Sequence, residues 1–279
     1  MKQTTINTMK VTGIATLLLC TFFACKKDET KTPTAEDQAT TLELAASAGG
    51  SAAIYDDVFD VVMQEGENGS IAGAREEACA TVTITPKDTV SFPKTMVVDF
   101  GAGCVSSNGI TRKGKFTATI SGKLHKTGTT VTVTFDGYYV NGYKVEGTYS
   151  ITNNSTANGS SFTTSTTGGK ITSPLGSYYN YSGTHTLTQT AGAGTLSFED
   201  DVFSLTGSSK SSTSAGKSLD VTITSPLVKK MSCKNIVSGV QSFTYLQFIS
   251  GTLDYGDGTC DNKAVLKIGS SSTEITLPR

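Results

Sequence analysis

Tryptophan is absent from the 279 residues, proline occurs 6 times, and histidine only twice, at His125 and His185. With so few imidazoles, neither of them in a ligand spacing, the chain carries no zinc-site pattern. It also lacks Gly-x-Ser-x-Gly, His-Glu-x-x-His and a complete phosphate-cradling glycine loop, which removes the commonest signatures of hydrolases, metalloproteases and nucleotide-binding enzymes. Hydroxyl side chains are plentiful, but a hydroxyl without an adjacent base is a poor nucleophile at neutral pH. Charge of one sign is missing too. The 23 basic and 24 acidic residues leave a formal net charge of −1, so there is no electrostatic footprint for nucleic acid. What remains is rich in Gly, Ser and Thr, the residues of strands and turns.

No apolar run reaches the roughly 20 residues that a membrane-spanning helix needs. The longest, Val11 to Ala24, follows Lys2 and Lys10 and ends at Ala24-Cys25, after which the chain turns abruptly polar at Lys26-Lys27-Asp28-Glu29. That charge order and length are those of a secretory signal. With Ala directly before Cys25, the segment resembles a lipoprotein signal peptide, which implies removal of residues 1–24 and lipidation of Cys25. Cys20 follows Leu19 and does not fit a processing pocket made for small residues. Lys26 to Glu29 resembles the charged signal that sends lipoproteins to the outer face of an outer membrane, with the periplasmic face as the alternative. From 25 to 41 the chain is polar without an apolar period and reads as a flexible lipidated tether.

The body, 42–279, is expected to be one unit. Between Leu42 and Met63, Ile54, Val58, Val61 and Val62 recur at spacings of three and four, the only helical signal in the mature chain. Asp56, Asp57 and Asp60 fall off that stripe, so the helix is expected to lie on a sheet with its acids outward. Beyond Cys79 the period becomes two, as in Thr129–Phe135 and Tyr143–Ile151, which flank Asn141-Gly142, a strong tight-turn dipeptide. The expected fold is mainly β, an antiparallel meander forming a sandwich or a rolled sheet with one N-terminal helix packed on it.

Four further cysteines allow three pairings by spacing alone. An internal echo chooses among them. Cys79 is followed by a strand, a connection, and Val97-Val98-Asp99-Phe100-Gly101-Ala102-Gly103-Cys104; Cys233 is followed by the same order ending Asp254-Tyr255-Gly256-Asp257-Gly258-Thr259-Cys260. Two copies of one hairpin, near 79–104 and 233–260, imply the disulfides Cys79–Cys104 and Cys233–Cys260.

The residues Val98–Cys104, Asn108–Lys115, Val131–Val140, Lys144–Thr148, Gly168–Ile171, Asp254–Asn262 and Glu274–Leu277 together resemble an uncharacterised family of Bacteroidetes surface lipoproteins. The resemblance implies address and architecture and carries no activity.

Candidate sites are few. Asp254, Asp257 and Asp261 could offer oxygens to Ca²⁺, but their spacing misses the helix-flanked calcium loop and turn capping explains them; no metal and no cofactor is expected. Glu76-Glu77 and Glu199-Asp200-Asp201 are adjacent acids, which point to opposite faces of a strand and make a poor glycosidase pair. Tyr138, Tyr139 and Tyr143, with Tyr178, Tyr179 and Tyr181, are candidate surface contacts for a protein or glycan partner, set against tyrosine's ordinary place in strands. The sequence therefore points to a membrane-anchored, surface-facing, non-enzymatic binding or structural module of unknown extracellular ligand. The alternatives are a fimbrial-type pilus or adhesin subunit and a surface glycan hydrolase. Metabolic labelling with a fatty acid should mark the wild-type chain and not Cys25→Ala, which should become soluble after export; equal label on both would refute lipidation at Cys25.

Overall fold

The computed structural model describes residues 34–68, 80–106, 109–195 and 198–277. Cys25, Lys26 to Glu29, Glu76, Glu77 and Cys79 lie outside the described residues.

The described chain opens with a single helix, α1 (Ala35–Asn68). Its start is fixed by a reciprocal cap: the Asp37 N–H donates to Thr34 Oγ1 at 3.1 Å, while the Thr34 N–H donates to Asp37 Oδ2 at 3.1 Å. This is a capping box with Asp in the usual Glu position. The tether expected over 25–41 is corrected accordingly, because residues 35–41 are helical and Thr40 and Thr41 are buried. Gly49-Gly50, which stood before the expected periodic stretch, is inside the helix. A Cβ at Gly49 would stand 2.8 Å from Leu253 Cδ2, so the glycine lets the sheet press directly on the helix backbone.

Fourteen strands follow among the described residues: β1 (Thr81–Thr85), β2 (Lys94–Asp99), β3 (Cys104–Val105), β4 (Thr111–Ile120), β5 (Thr130–Val140), β6 (Tyr143–Asn153), β7 (Ser161–Thr172), β8 (Tyr178–Ala191), β9 (Val202–Thr213), β10 (Ser218–Lys230), β11 (Ser238–Tyr245), β12 (Ile249–Asp257), β13 (Lys263–Ile268) and β14 (Ser271–Thr276). They form one antiparallel sheet in chain order, with short β3 beside β4 and an open path ending at β1 and β14. The two-sheet sandwich is therefore excluded in favour of a single curled sheet. Asn141 and Gly142, at φ 47° and 85°, make the expected tight turn between β5 and β6.

Curling has an identifiable cause. The ladder slips by bulges between Lys113 and Lys115, Thr134 and Tyr139, Glu146 and Thr148, and Thr166 and Gly169. Bulges bend a strand and increase its twist, and here they fall on successive strands, β4 to β7. Two of them leave room for no side chain: a Cβ on Gly114 (φ 72°) would lie 1.8 Å from Gly137 O, and one on Gly147 (φ 110°) 2.7 Å from Gly168 O.

The sheet folds along this line over α1, which lies against β6, β8, β9, β10, β12 and β13. From Leu44 through Met63 no residue of α1 is exposed. Tyr55 stacks between Tyr149 and Tyr181, and Phe59 meets Phe162 and Phe203 edge-on. The acids of α1 thus cannot all face outward, and that expectation is corrected. Asp57 is 0% and Asp56 9% exposed. Arg112 of β4 grips Asp57 through Nε at 2.8 Å and Nη2 at 2.7 Å, donates also to Ser106 Oγ, and lies over the Phe100 ring. Tyr138 Oη donates to Asp57 Oδ2 at 3.4 Å. A second cation, Lys229 of β10, holds Asp60 at 2.9 Å. Two of the enclosed carboxylates, Asp57 and Asp60, are thus each met by a cation.

Cys233 and Cys260 are joined, closing a separation of 27 residues, a constraint of about 3–4 kcal/mol in the chain-entropy account. Cys104 is also disulfide-bonded; its expected partner, Cys79, lies outside the described residues. Phe100 and Tyr255, equivalent in the two halves of the echo, are both buried.

Removing one partner of a buried pair strands the other's charge, at roughly 3–5 kcal/mol, whereas replacing both with apolar groups of similar volume is close to neutral. Arg112→Met should destabilise by that amount in urea unfolding, and Arg112→Met with Asp57→Leu should recover most of the loss. Additive losses in the double variant would contradict the buried pair.

Candidate functional site

Helix α1 fills the concave side of the sheet among the described residues. The interior cavity between α1, β8, β11 and β12 measures about 10 Å³, about one water. It is lined in part by Asp56, His185, Gln241 and Tyr255. Tyr255 Oη donates to Gln241 Oε1 at 3.1 Å. His185 keeps some exposure as a residue, yet its ring is packed into this space, and desolvation holds its pKa below the usual value against the opposing field of Asp56. Burial likewise raises the phenols of Tyr55, Tyr149, Tyr181 and Tyr255, so these groups stay neutral over the physiological range.

The outward face is different. The pleat sends Val131, Val133, Tyr149, Ile151, Phe162 and Leu187 inward, and the alternate positions of the same strands are almost all Ser or Thr. The register aligns them. One line of paired residues runs Thr85, Thr95, Thr119, Thr132, Ser150, Ser165, Thr184, Ser208, Thr222, Ser242, Thr252, a hydroxyl on each of eleven strands from β1 to β12. Neighbours along this line stand about 4.8 Å apart, the strand spacing. A parallel line carries Thr130, Thr152, Thr163, Thr186 and Thr206.

Across β7 to β10 the face dips into a shallow groove of about 520 Å³, to which Ser165, Thr167, Ser182, Thr184, Ser208 and Thr222 contribute. Lys210 and Asp220 pair at 3.4 Å on its rim, both mostly exposed. A groove of this volume is of ligand size. Every hydroxyl in it can donate and accept, so it suits a partner with the same double capacity.

The tyrosines divide three ways. Tyr138 and Tyr181 are 0% and 3% exposed and cannot serve as surface contacts; burial beside α1 corrects that expectation. Tyr143 and Tyr179 are half-buried on the inner side, and Tyr179 Oη donates to Glu43 Oε1 of α1 at 2.7 Å. Desolvation, with Glu43, pushes its pKa up to about 12. Tyr139 and Tyr178 are also half-buried but lie on the outer side, with Lys113 Nζ 5.5 Å and Lys170 Nζ 4.4 Å from their ring centres. These two remain available to a partner.

Asp254, Asp257 and Asp261 each turn back on the backbone, accepting from the N–H of Gly256, Thr259 and Lys263 respectively. Thr259 also donates its hydroxyl to Asp257, and together these bonds hold the Asp257 carboxyl below its usual pKa. Among the described residues no group of three or more His, Cys, Asp or Glu is arranged to hold a metal ion. Glu199 and Asp200 lie exposed in a short 3₁₀ turn, Phe198–Asp200, while Asp201 accepts from Gln189 Nε2 at 2.7 Å. Comparison with protein-family models, with curated proteins and with solved structures finds no match.

The His185 shift has a signed consequence. With its folded pKa below the unfolded value near 6.5, the unfolded chain binds the extra proton first, so stability present above pH 6.5 is lost as pH falls toward the folded pKa. The slope from this residue is at most about 1.4 kcal/mol per pH unit. Urea midpoints measured from pH 7.5 to 5 should therefore fall, and His185→Gln should flatten that part of the profile; identical profiles would show that His185 is not desolvated.

Proposed function

We propose that this chain is a lipid-anchored protein of the outer membrane surface, of the Bacteroidetes lipoprotein kind it resembles, and that it acts as a non-enzymatic module binding an extracellular glycan along the outer face of its sheet. The observation that carries the reading is the aligned hydroxyl line with its groove across β7 to β10. Among the described residues of the line and the groove the only charged side chains are Lys210 and Asp220, which pair with each other, and this disfavours an anionic polymer held by counterion release. Along the hydroxyl line and the groove lining, among the described residues, the face contains no aromatic or Arg anchor of the kind that carries most of the energy in protein interfaces. A neutral polyhydroxylated chain is matched by it, each sugar hydroxyl finding a group that can give or take a proton. The contact is weak per site and gains through repetition across strands, as linked sites do. Tyr139 and Tyr178, at the end of the same face, extend it with two rings.

The signal-like N-terminus and Cys25 supply the anchor in this reading. Residues 35–41, assigned to the tether by pattern, belong to α1, so in this reading the tether is the shorter stretch 25–34.

Affinity electrophoresis through gels carrying amylose, a β-1,3-glucan or a mannan tests the reading. At least one of these neutral polymers should retard the purified body, and Thr184→Arg with Ser208→Glu, two exposed substitutions in the groove, should weaken that retardation at least tenfold, about 1.4 kcal/mol. Equal retardation of wild type and variant by every polymer would place binding elsewhere, and free migration of both in all three gels would overturn the glycan reading.

A further inference from the structure

Two buried cations hold α1 to the sheet, and they differ in chemistry. Arg112 presents a guanidinium, whereas Lys229, 1% exposed, presents a primary amine. Lys229 Nζ lies 2.9 Å from Asp60 Oδ1 and 3.1 Å from Oδ2. An amine within hydrogen-bond distance of both oxygens has the carboxyl carbon roughly 3–3.5 Å away, and rotation of the carboxyl about Cβ–Cγ turns its face to the nitrogen, the near-attack arrangement. Phe203 is the cross-strand neighbour of Lys229, and its ring packs on Phe59, the residue before Asp60, and on Phe162. The contact therefore sits against an aromatic wall, while Asp60 keeps 17% exposure.

We propose that Lys229 and Asp60 condense to an amide, a covalent cross-link between β10 and α1. Passing one proton from the ammonium to the carboxylate gives the free amine and the carboxylic acid, the forms that react. The nitrogen lone pair then adds to Cγ of Asp60, the nitrogen loses a proton, and the Cγ–OH bond breaks with that proton delivered to the departing oxygen. The product is an Nζ–Cγ amide and one water, with no oxidation and no co-reactant. Asp56 stands one turn earlier on the same side of α1. Asp56 and Asp60 both raise the pKa of the buried Tyr149 phenol through space, so a second carboxyl lies near the reacting pair.

In open water such a condensation runs backward. Here fixed contact supplies an effective concentration on the order of 10⁵–10⁸ M, the wall excludes bulk water, and the partly exposed side of Asp60 lets the released water leave. Arg112 and Asp57, equally buried, make a pair that stays ionic and provides the internal contrast.

The test is peptide mapping of the full chain purified from membranes, reduced and digested with trypsin. The expected result is a branched peptide joining the segment with Asp60 to the segment with Lys229, lighter by one water than the two together. It should be absent from Lys229→Arg, which keeps the cation, and from Asp60→Ala. Recovery of both segments from the wild-type chain only as separate linear peptides overturns the proposal, as does a branched peptide that persists in Lys229→Arg.

Discussion

A carboxylate sealed inside a protein is costly unless it is paired or hydrogen-bonded, and α1 carries this cost into the centre of the sheet. From Leu44 to Met63 the helix has no exposed residue, yet it holds Asp56, Asp57 and Asp60. The sheet answers from two sides, with Arg112 on β4 and Lys229 on β10, separated by the strands β5 to β9. The two pairs act as keys to register. A slip of one residue in β4 would turn Arg112 to the outer face and leave Asp57 unpaired. Buried pairs add little over an apolar substitute, but a misplaced one is expensive; their effect here is to make one docking of α1 far better than any neighbouring docking.

The shape of the sheet depends on a second constraint, the bulges that cross it. Lys113-Gly114-Lys115, Asp136-Gly137-Tyr138, Glu146-Gly147-Thr148 and Gly168-Gly169-Lys170 each sit at a register slip. These glycines mark the corner where the sheet turns over its helix. The aromatic stack of Tyr149, Tyr55 and Tyr181 lies inside that corner: the Tyr55 hydroxyl donates to Glu146 O at 2.6 Å and comes within 2.7 Å of where a Cβ on Gly169 would stand.

Local patterns in the sequence were sufficient for the meander, because alternation and turn dipeptides are properties of neighbours in the chain. Asn141-Gly142 and the strands around it needed nothing else, and the echo of Asp99-Phe100-Gly101 in Asp254-Tyr255-Gly256 correctly placed Cys233 against Cys260. The acids of α1 were read outward because an amphipathic helix on an open sheet has one wet side; enclosure by a curled sheet removes that side, and no local pattern reports it. The start of α1 was legible in Thr34-Ala-Glu-Asp37, a capping box masked by the surrounding polar composition. The hydroxyl line is of another kind. Each strand showed its own Ser and Thr positions, but their alignment from Thr85 to Thr252 depends on ten successive registers and becomes visible only with the pairings in hand.

With α1 enclosed, the outer face is the open side of the sheet, where Ser and Thr positions are interspersed with exposed ion pairs such as Lys115–Asp136 and Lys210–Asp220. The core beneath it is locked by paired charges. The locking is the central claim, and native-state hydrogen exchange reads it directly. If the buried pairs and the enclosing sheet fix α1, its amides from Leu44 to Met63 exchange only through global unfolding, with the same free energy and denaturant dependence as those of β6 to β8. Exchange of α1 through a separate, lower-energy opening while β6 to β8 stay protected would contradict it.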